Sequence, residues 1–146
     1  MADFRLDWRG DELKRTIQEN GAKIVSEFAL TVEGEAKKEL RKGHGVLTGT
    51  LRRSIHTVLP GYDWSGDDVD NGKERGGVQV TPDPNDEKIT VQVGSGLVYA
   101  MAIHQGWPLG YKKMKGSFVG YHFITNGQKK AKAILPSIIA KYKVQR

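Results

Sequence analysis

A stripe of apolar residues between positions 11 and 41 constrains the fold of this chain more than any other sequence feature. Within this stretch the apolar side chains recur mostly at intervals of three and four residues: Leu13, Ile17, Ile24, Val25, Phe28, Val32, Ala36 and Leu40. Such spacing places them on one face of an α-helix, and that face must pack against another part of the chain. We therefore predict a long amphipathic helix over about residues 11–42, with a bend near Asn20 and Gly21 and with Gly43 as its C-terminal cap.

Alternation of apolar and polar residues indicates short strands on both sides of this helix. Residues 4–8 alternate in this way and predict a short N-terminal strand. Residues 78–81 and 89–93 alternate around a Pro-Asp-Pro-Asn-Asp turn and predict an antiparallel hairpin. Together with a strand that begins at Ile55, they predict a small antiparallel sheet over about residues 55–94, into which a polar loop at 60–77 is inserted.

Two further helices complete the predicted fold. Residues 97–105 are apolar and too few for a long helix, so we expect a short helix that stops at Gly106. Residues 122–143 are rich in Ala, Lys, Gln and Ile and predict a C-terminal helix, which Pro136 should kink or divide. The order of elements predicts one α+β domain over residues 1–146, in which the N-terminal strand and the long helix pack on the sheet.

Charge is distributed unevenly along the chain. The net charge is +6, but residues 1–87 hold 13 Lys and Arg against 17 Asp and Glu, whereas residues 88–146 hold ten Lys and Arg and no acid. This asymmetry predicts a basic face that meets an anionic partner, either nucleic acid or an acidic protein surface. The alternative is a lysine-rich helix that is simply solvated.

Residue patterns that support catalysis or metal binding are not found. Cysteine is absent, which excludes disulfides and thiolate chemistry. The four histidines form no His-Glu-x-x-His pattern, no serine has nucleophile-elbow spacing, and no glycine-rich stretch matches a phosphate-binding loop. We therefore expect no enzyme activity, no metal and no cofactor. No apolar run is long enough to span a membrane and the N-terminus lacks a secretory pattern, so we expect no membrane partner and folding in a cytoplasm.

Two sets of residues are candidates for an interface. Aromatic side chains in polar or glycine-rich segments often bury against a partner, and local packing is their alternative: Trp64, Trp107 and Tyr111. Oppositely charged clusters occur in the inserted loop and in the last helix, and could pair between copies of the chain: Asp67, Asp68 and Asp70 against Lys129, Lys130 and Lys132. Aromatic residues next to lysines could instead stack on bases.

Three short segments carry a resemblance to a known family. Residues 48–55 read Thr-Gly-Thr-Leu-Arg-Arg-Ser-Ile, residues 99–100 read Tyr-Ala ahead of Gly106, and residues 123–124 read Phe-Ile at the start of the last helix. In this order, behind a long N-terminal helix, they resemble the neck or tail-completion proteins of long-tailed bacteriophages. That family has a Thr-Gly-x-Leu-x-x-Ser-Ile segment, a Tyr-Ala segment ending in an acid and glycine, and a Phe-Leu pair that opens the last helix.

The chain departs from the family pattern at three places. The family commonly has a Pro-x-Asp or similar pair before Thr-Gly, where this chain has Gly45-Val46-Leu47. It commonly has Glu before the glycine, where this chain has His104-Gln105. The polar loop at 60–77 has the character of an insertion.

The resemblance implies a structural protein of the virion, located where head and tail join, and present in the host cytoplasm during assembly. It implies a homo-oligomeric ring, sixfold or twelvefold, in contact with other neck, head-completion and tail-terminator proteins, and with packaged DNA passing nearby. The motif positions that the resemblance marks as structural are Thr48, Gly49, Leu51, Ser54, Ile55, Tyr99, Ala100, Gly106 and Phe123. If they anchor the fold, Leu51 and Ile55 are buried. The alternative function is a nucleic-acid-binding module that uses the basic C-terminal half.

Overall fold

The computed structural model describes residues 9–43, 45–46, 49–64, 80–109 and 115–143. Within these ranges the chain has helices and short strands in the predicted α+β layout. In chain order the elements are α1 (Gly10–Glu39), β1 (Arg41–Lys42), β2 (Gly45–Val46), α2 (Thr50–Ser54), β3 (His56–Val58), β4 (Gln92–Gly94), α3 (Ala100–Gln105), β5 (Gly106–Trp107), β6 (Phe118–Val119) and α4 (Phe123–Lys141). The strand predicted at residues 4–8 lies outside the described residues.

Helix α1 is the long helix that the apolar stripe predicts. It runs without a break through Asn20 and Gly21, and its buried residues lie in its middle and C-terminal parts. It ends at Glu39, so the predicted end at about residue 42 is wrong. The reason is Leu40, which is completely buried and takes up an extended conformation with φ −87° and ψ 92°. Gly43 has a left-handed φ of 81°, but it lies in the turn between β1 and β2 and does not cap the helix.

Helix α4 packs closely against the C-terminal part of α1. A side chain at Gly127 would place its Cβ 2.7 Å from the backbone nitrogen of Ala36 and 2.9 Å from the carbonyl oxygen of Val32. One turn further along α4, Ala131 is completely buried. Small residues on both helices therefore allow the two backbones to approach each other, which increases the dispersion contacts between them.

Polar contacts at the two ends of α4 show that it runs antiparallel to α1. Near its start Lys130 forms an ion pair with Glu39, the last residue of α1. At its end Lys141 forms an ion pair with Glu27, to which the hydroxyl of Tyr142 also donates a hydrogen bond of 2.8 Å. These contacts lower the pKa of the Glu27 carboxyl, with the Lys141 ammonium as the largest cause and the Tyr142 hydroxyl next.

The first ten residues of α1 extend past the end of α4. The side-chain amide of Asn20 donates to the carbonyl of Tyr142, one residue beyond the end of α4. Residues 10–19 of α1, which we call the α1 overhang, therefore extend about 15 Å further at 1.5 Å per residue. The segment at 80–89 lies beside α1. It begins next to Ser26, whose hydroxyl donates to the Val80 carbonyl, and runs from there towards the overhang. Pro84 and Asn85 line a shallow depression together with the overhang.

Within the described residues the strands form three separate two-stranded ladders. Strands β1 and β2 pair in parallel, with Arg41 opposite Gly45, whereas β3 pairs with β4 and β5 with β6 in antiparallel fashion. The predicted hairpin of residues 78–81 with 89–93 is wrong in its described part, because residues 80–91 contain no strand and β4 pairs with β3. Two causes are visible: the Val80 carbonyl is bonded to α1, and the prolines at 82 and 84 have no N–H to donate.

The C-terminal half differs from the prediction in two further ways. Pro136 was expected either to kink the C-terminal helix or to divide it. Helix α4 continues across Pro136, so the second alternative is wrong. Pro136 has no N–H, so the carbonyl of Lys132, four residues earlier, loses its helical hydrogen bond. Because Pro136 is exposed, this carbonyl lies on the solvent side of the helix. The glycine-rich segment after α3, for which no helix or strand is predicted above, contains the β5–β6 ladder, in which Trp107 lies opposite Phe118.

Candidate assembly surface

The three segments that carry the family resemblance meet in one buried cluster. Leu51 and Ile55 come from the first segment, Ala100 from the second and Phe123 from the third, although 68 positions separate Ile55 from Phe123. The cluster consists of Ala36, Leu40, Leu51, Ile55, Leu97, Ala100 and Phe123. The prediction that Leu51 and Ile55 are buried is confirmed, with 5% and 0% of their surfaces exposed. These motif positions build the core of the fold.

Ser54, the polar residue of the first segment, is buried and belongs to a chain of hydrogen bonds. Its hydroxyl donates to the Leu51 carbonyl at 2.7 Å, and its oxygen lies 2.6 Å from the hydroxyl oxygen of Ser95. The Ser95 oxygen in turn accepts the backbone N–H of Leu97 at 3.2 Å. Because the Ser54 proton is used on Leu51, Ser95 is the donor between the two serines. Each hydroxyl then donates once and accepts once, so neither is left unsatisfied in the interior.

The glycine of the first segment enables the turn into α2. Gly49 has a left-handed φ of 80°, and its carbonyl accepts the backbone N–H of Arg53 at 3.0 Å, which closes the first turn of the helix. A β-carbon here would also lie 2.9 Å from the guanidinium of Arg53. Thr48, the first residue of the motif, lies outside the described residues.

Gly106 and Gly120 face each other across the start of the β5–β6 ladder. Gly106 caps α3 with φ 81°, and a Cβ there would come within 2.1 Å of the Phe118 carbonyl oxygen and 2.4 Å of the Gly120 nitrogen. A Cβ at Gly120 would come within 2.2 Å of the His104 carbonyl oxygen. Both clashes are with backbone atoms, which cannot rotate away. The helix stop predicted at Gly106 is confirmed, and close backbone contact adds a second reason for glycine there.

Two histidines and Phe123 stack where α3 meets α4. The His104 ring meets the Phe123 ring edge to face, with centroids 4.9 Å apart, and meets the His122 ring at 5.6 Å. His122 itself has the left-handed backbone conformation, with φ 49°, directly before α4. The backbone N–H of His122 donates to the His104 carbonyl at 2.9 Å. His104 thus holds the start of α4 through its carbonyl and its ring.

The surroundings of His104 favour its neutral form. Burial lowers the pKa of the imidazole, and the neighbouring His122 lowers it further. Its Nδ1 is buried and has no hydrogen-bond partner within the described part of the chain, and its Nε2 lies 3.4 Å from the Thr125 hydroxyl oxygen. That distance is too long for an O–H···N bond that would activate a nucleophile. Across the described ranges no group of three His, Cys, Asp or Glu converges to hold a metal ion.

The two described aromatic candidates pack within the subunit. Trp64 is half-buried, with its ring 5.0 Å from the His56 ring and 5.2 Å from the Tyr62 ring, and it covers Gly94 of β4. Trp107 is half-buried against Phe118, with centroids 4.7 Å apart. Local packing, the alternative to a partner contact, therefore accounts for both rings. Tyr111 lies outside the described residues.

The charged candidates are only partly available for a partner. Lys129, Lys130 and Lys132 are exposed on α4, but Lys130 is engaged by Glu39 of α1. Helix α4 contains no acid, so the partner of Lys130 comes from α1, and Lys130 is less available to another copy than Lys129 and Lys132 are. Lys129 and Lys132 form no ion pair with the residues that the structure describes. The three acidic candidates, Asp67, Asp68 and Asp70, lie outside the described residues.

An exposed apolar strip beside α3 was missed by sequence reasoning. Val98 is 85% exposed, Met101 63% and Val119 83%. Val98 lies two residues before α3 and Met101 lies in its first turn, whereas the neighbouring Leu97 and Ala100 are buried. Helix α3 is followed directly by β5, in which Gly106 pairs with Val119 of β6. We call these three exposed residues, with Leu109 two residues after β5 (79% exposed), the α3 face.

The sequence carried a usable signal for this surface. Residues 97–105 are too apolar for a helix with one buried side, so the apolar residues of its second side had to be exposed or covered by something else. Exposed apolar surface that gathers on one part of a folded chain is typical of interaction sites, protein–protein contacts among them. We take the α3 face as the candidate assembly surface.

Comparisons with known proteins give no further indication of function. No family model, no curated protein and no solved structure matches this chain. Among the described helices none is long and apolar enough to cross a bilayer.

Proposed function

We propose that this chain is a structural protein of the head–tail junction of a long-tailed phage, acting as a ring-forming connector between head-completion and tail proteins. The observation that supports this proposal best is the convergence of the three motif segments on one core. A resemblance built from short motifs gains weight when the matched residues depend on each other in space. Leu51, Ile55, Ala100 and Phe123 share one buried cluster, and Ser54 adds a hydrogen-bonded link to the turn after β4.

The exposed α3 face is consistent with an assembly role. An isolated subunit that leaves four large apolar side chains more than 60% exposed gains from covering them. At about 25 cal/mol per Å² of apolar surface removed from water, such a strip is a strong driving force for association. A ring uses two different surfaces of each subunit, because every copy meets one neighbour on either side.

The decisive experiment is genetic. In the phage or prophage that encodes this chain, its gene is deleted and the particles are examined by electron microscopy. We expect full heads and free tails that fail to join, and restoration of joined particles when the chain is supplied from a plasmid. Purified wild-type particles should contain the chain when analysed by mass spectrometry. Normal joined particles from the deletion strain, or absence of the chain from purified particles, would refute the proposal.

A nucleic-acid-binding module remains the alternative, and Lys129 and Lys132 are the observation that favours it. They are three residues apart on α4, exposed, and form no ion pair with described residues. If they bind phosphates, the affinity for duplex DNA falls steeply as salt is raised. Replacing both lysines by Glu should then reduce the slope of log affinity against log salt by the amount expected for about two phosphate contacts. Reversal of Lys14 and Lys88, which are exposed on other parts of the chain, is the matched control. If the test pair and the control pair of reversals weaken binding equally, the net charge of the chain explains the binding and no specific site is involved.

A further inference from the structure

The two nitrogens of the His104 ring lie in different surroundings. Its Nε2 faces the hydroxyl oxygen of the exposed Thr125 at 3.4 Å. Its Nδ1 is buried and has no hydrogen-bond partner among the residues that the structure describes. A neutral imidazole carries a single N–H, and with that proton on Nε2 no donor is buried without an acceptor. The site therefore suits a neutral ring that is protonated on Nε2.

Protonation changes this balance at Nδ1. The imidazolium has an N–H on both nitrogens, so proton uptake creates a buried and charged donor without an acceptor. Burying such a group is much less favourable than burying a neutral ring. The charged form of His104 gains water as a partner only if the ring turns its Nδ1 outwards. That movement takes the ring away from Phe123, which it now meets edge to face with centroids 4.9 Å apart.

The groups around His104 do not compensate for a proton on its ring. The His122 ring, whose centroid lies 5.6 Å away, adds a like charge when it is protonated. Burial and His122 together lower the pKa of His104. Residues 88–146, which include α3 and α4, contain no acid. The acids in the last two turns of α1 are each paired with a lysine: Glu33 with Lys37, Glu35 with Lys38 and Glu39 with Lys130. The remaining charged side chains of α2, of the first half of α4 and directly ahead of β6 are basic: Arg52, Arg53, Lys115, Lys129 and Lys132.

His104 also helps to hold α3 on the start of α4. Its carbonyl accepts the backbone N–H of His122 at 2.9 Å, and the carbonyl of Ile103 accepts that of Tyr121 at 3.1 Å. Phe123, against which the His104 ring packs, is 2% exposed and belongs to the buried cluster. His122 has φ 49°, an unfavourable conformation for a residue with a side chain, so its neighbours must hold it there. Loss of the ring contact removes one of these constraints.

We propose that this junction is sensitive to pH: proton uptake by His104 moves its ring away from Phe123 and opens the attachment of α3 to residues 121–123. Neutral pH keeps the junction closed, and mild acid opens it. The packing of α4 on α1 stays intact, because the close contact at Gly127 lies further along the helix. This inference concerns the conformation of the chain and does not rest on the proposed function.

The test is amide hydrogen exchange of the full chain at about pH 7.5 and 5.5, measured by mass spectrometry and corrected for the intrinsic pH dependence of exchange. A group that regains its ordinary pKa of 6.5 on opening favours the open form by up to about tenfold one pH unit below that value. Residues 118–126 of the wild type should therefore lose about three- to tenfold in protection at the lower pH. Residues 22–32, in the middle of α1, are the internal reference and should keep theirs.

Variants identify the group that titrates. His104→Phe keeps an aromatic ring against Phe123 but takes up no proton, so residues 118–126 should be equally protected at both pH values. His122→Asn removes the second imidazole and accommodates the left-handed conformation, so it should retain a smaller pH effect. His56→Phe, at the other half-buried histidine of the described ranges, is the matched control and should behave like the wild type. Thermal unfolding checks that each variant is folded.

Three results would overturn the proposal. They are equal protection of residues 118–126 at both pH values in the wild type, an undiminished loss in His104→Phe, or an equal loss in residues 22–32, which would mean global unfolding. If His104→Phe does not fold, the wild type supplies a second measurement. The slow exchange of the imidazole C2 hydrogen gives the titration curve of His104, and the loss of amide protection should begin near pH 6.5 and level off at the midpoint of that curve. A loss confined to a different pH range would reject His104 as the trigger.

Discussion

The hydroxyl oxygens of Ser54 and Ser95 lie 2.6 Å apart although 41 residues separate them in the chain. This contact joins the end of α2 to the Gly-Ser-Gly turn that follows β4. It lies next to the β3–β4 ladder, so it fixes the position of α2 relative to that ladder. Both ends of the hydrogen-bonded chain are backbone groups, the Leu51 carbonyl and the Leu97 N–H. A pair of small hydroxyl side chains thus connects the first motif segment to the turn that leads into α3.

Substitution of either serine should therefore lower the free energy of unfolding more than the removal of so small a group would suggest. Ser54→Ala leaves the Leu51 carbonyl and the Ser95 hydroxyl without their partner in a buried site, which costs about 1–3 kcal/mol of unfolding free energy. Ser95→Ala should cost a similar amount. Because the two hydroxyls depend on each other, the double variant should be less destabilised than the sum of the single variants, as measured by urea unfolding. Strict additivity would mean that the two serines act independently.

Gly106 and Gly116 form a matched pair for testing why glycine is needed at the end of α3. Both have a left-handed φ, 81° and 76°, but a Cβ would clash with backbone at Gly106 and meet nothing within 4 Å at Gly116. Gly116→Ala should lose about 1–2 kcal/mol, from the left-handed conformation alone. Gly106→Ala should lose clearly more, or prevent folding, because the β5–β6 ladder must move away from α3. Equal losses, measured by thermal unfolding, would show that the close contact is unimportant.

The sequence predicted the elements whose signals are local. The apolar stripe of α1 lies within one continuous segment. The burial of Leu51 and Ile55 was implied by the family resemblance of their segment. It did not predict the partner of β4, because alternation of residues identifies a strand without specifying its neighbour. The true partner, β3, is determined by long-range contacts, among them the Ser26–Val80 bond that keeps residue 80 out of a ladder.

The candidate surface was only partly predictable for a related reason. Apolar composition identifies Val98 and Met101 as residues that avoid water, but it does not say whether their cover comes from the same chain or from another copy. Likewise the charge asymmetry was evident, yet the ion pair between Lys130 and Glu39 depends on how α1 and α4 align. Both properties follow only from the three-dimensional arrangement.

His104 should make stability depend on pH in a defined direction. Its pKa in the folded chain lies below its ordinary value of 6.5. As the pH falls through 6.5, His104 takes up a proton in the unfolded chain before it does so in the folded chain. The unfolding free energy therefore decreases. Above that range both states are neutral at this site and the effect vanishes. His104→Phe, which keeps a ring against Phe123, should show a smaller decrease between about pH 7.5 and 5.5 than the wild type. The same slope in both proteins would exclude His104 as the cause.

The closest approach of α1 and α4 gives the last prediction, since two helical glycines differ only in their surroundings. At Gly34 of α1 a Cβ would meet nothing within 4 Å, so Gly34→Ala should stabilise the chain by about 0.5–1 kcal/mol through helix propensity. At Gly127 of α4 a Cβ would lie 2.7 Å from the backbone of Ala36.

Gly127→Ala gains the same propensity, but it must push two packed helices apart. We expect a net loss of about 1–3 kcal/mol in urea unfolding. The separation would also strain the ion pairs that Lys130 and Lys141 make with α1, so the double variant Gly127→Ala with Glu39→Gln should be nearly as stable as Gly127→Ala alone. A stabilising Gly127→Ala would mean that α1 and α4 are held apart by other contacts, and that the small residues at Ala36 and Ala131 are not required for their packing.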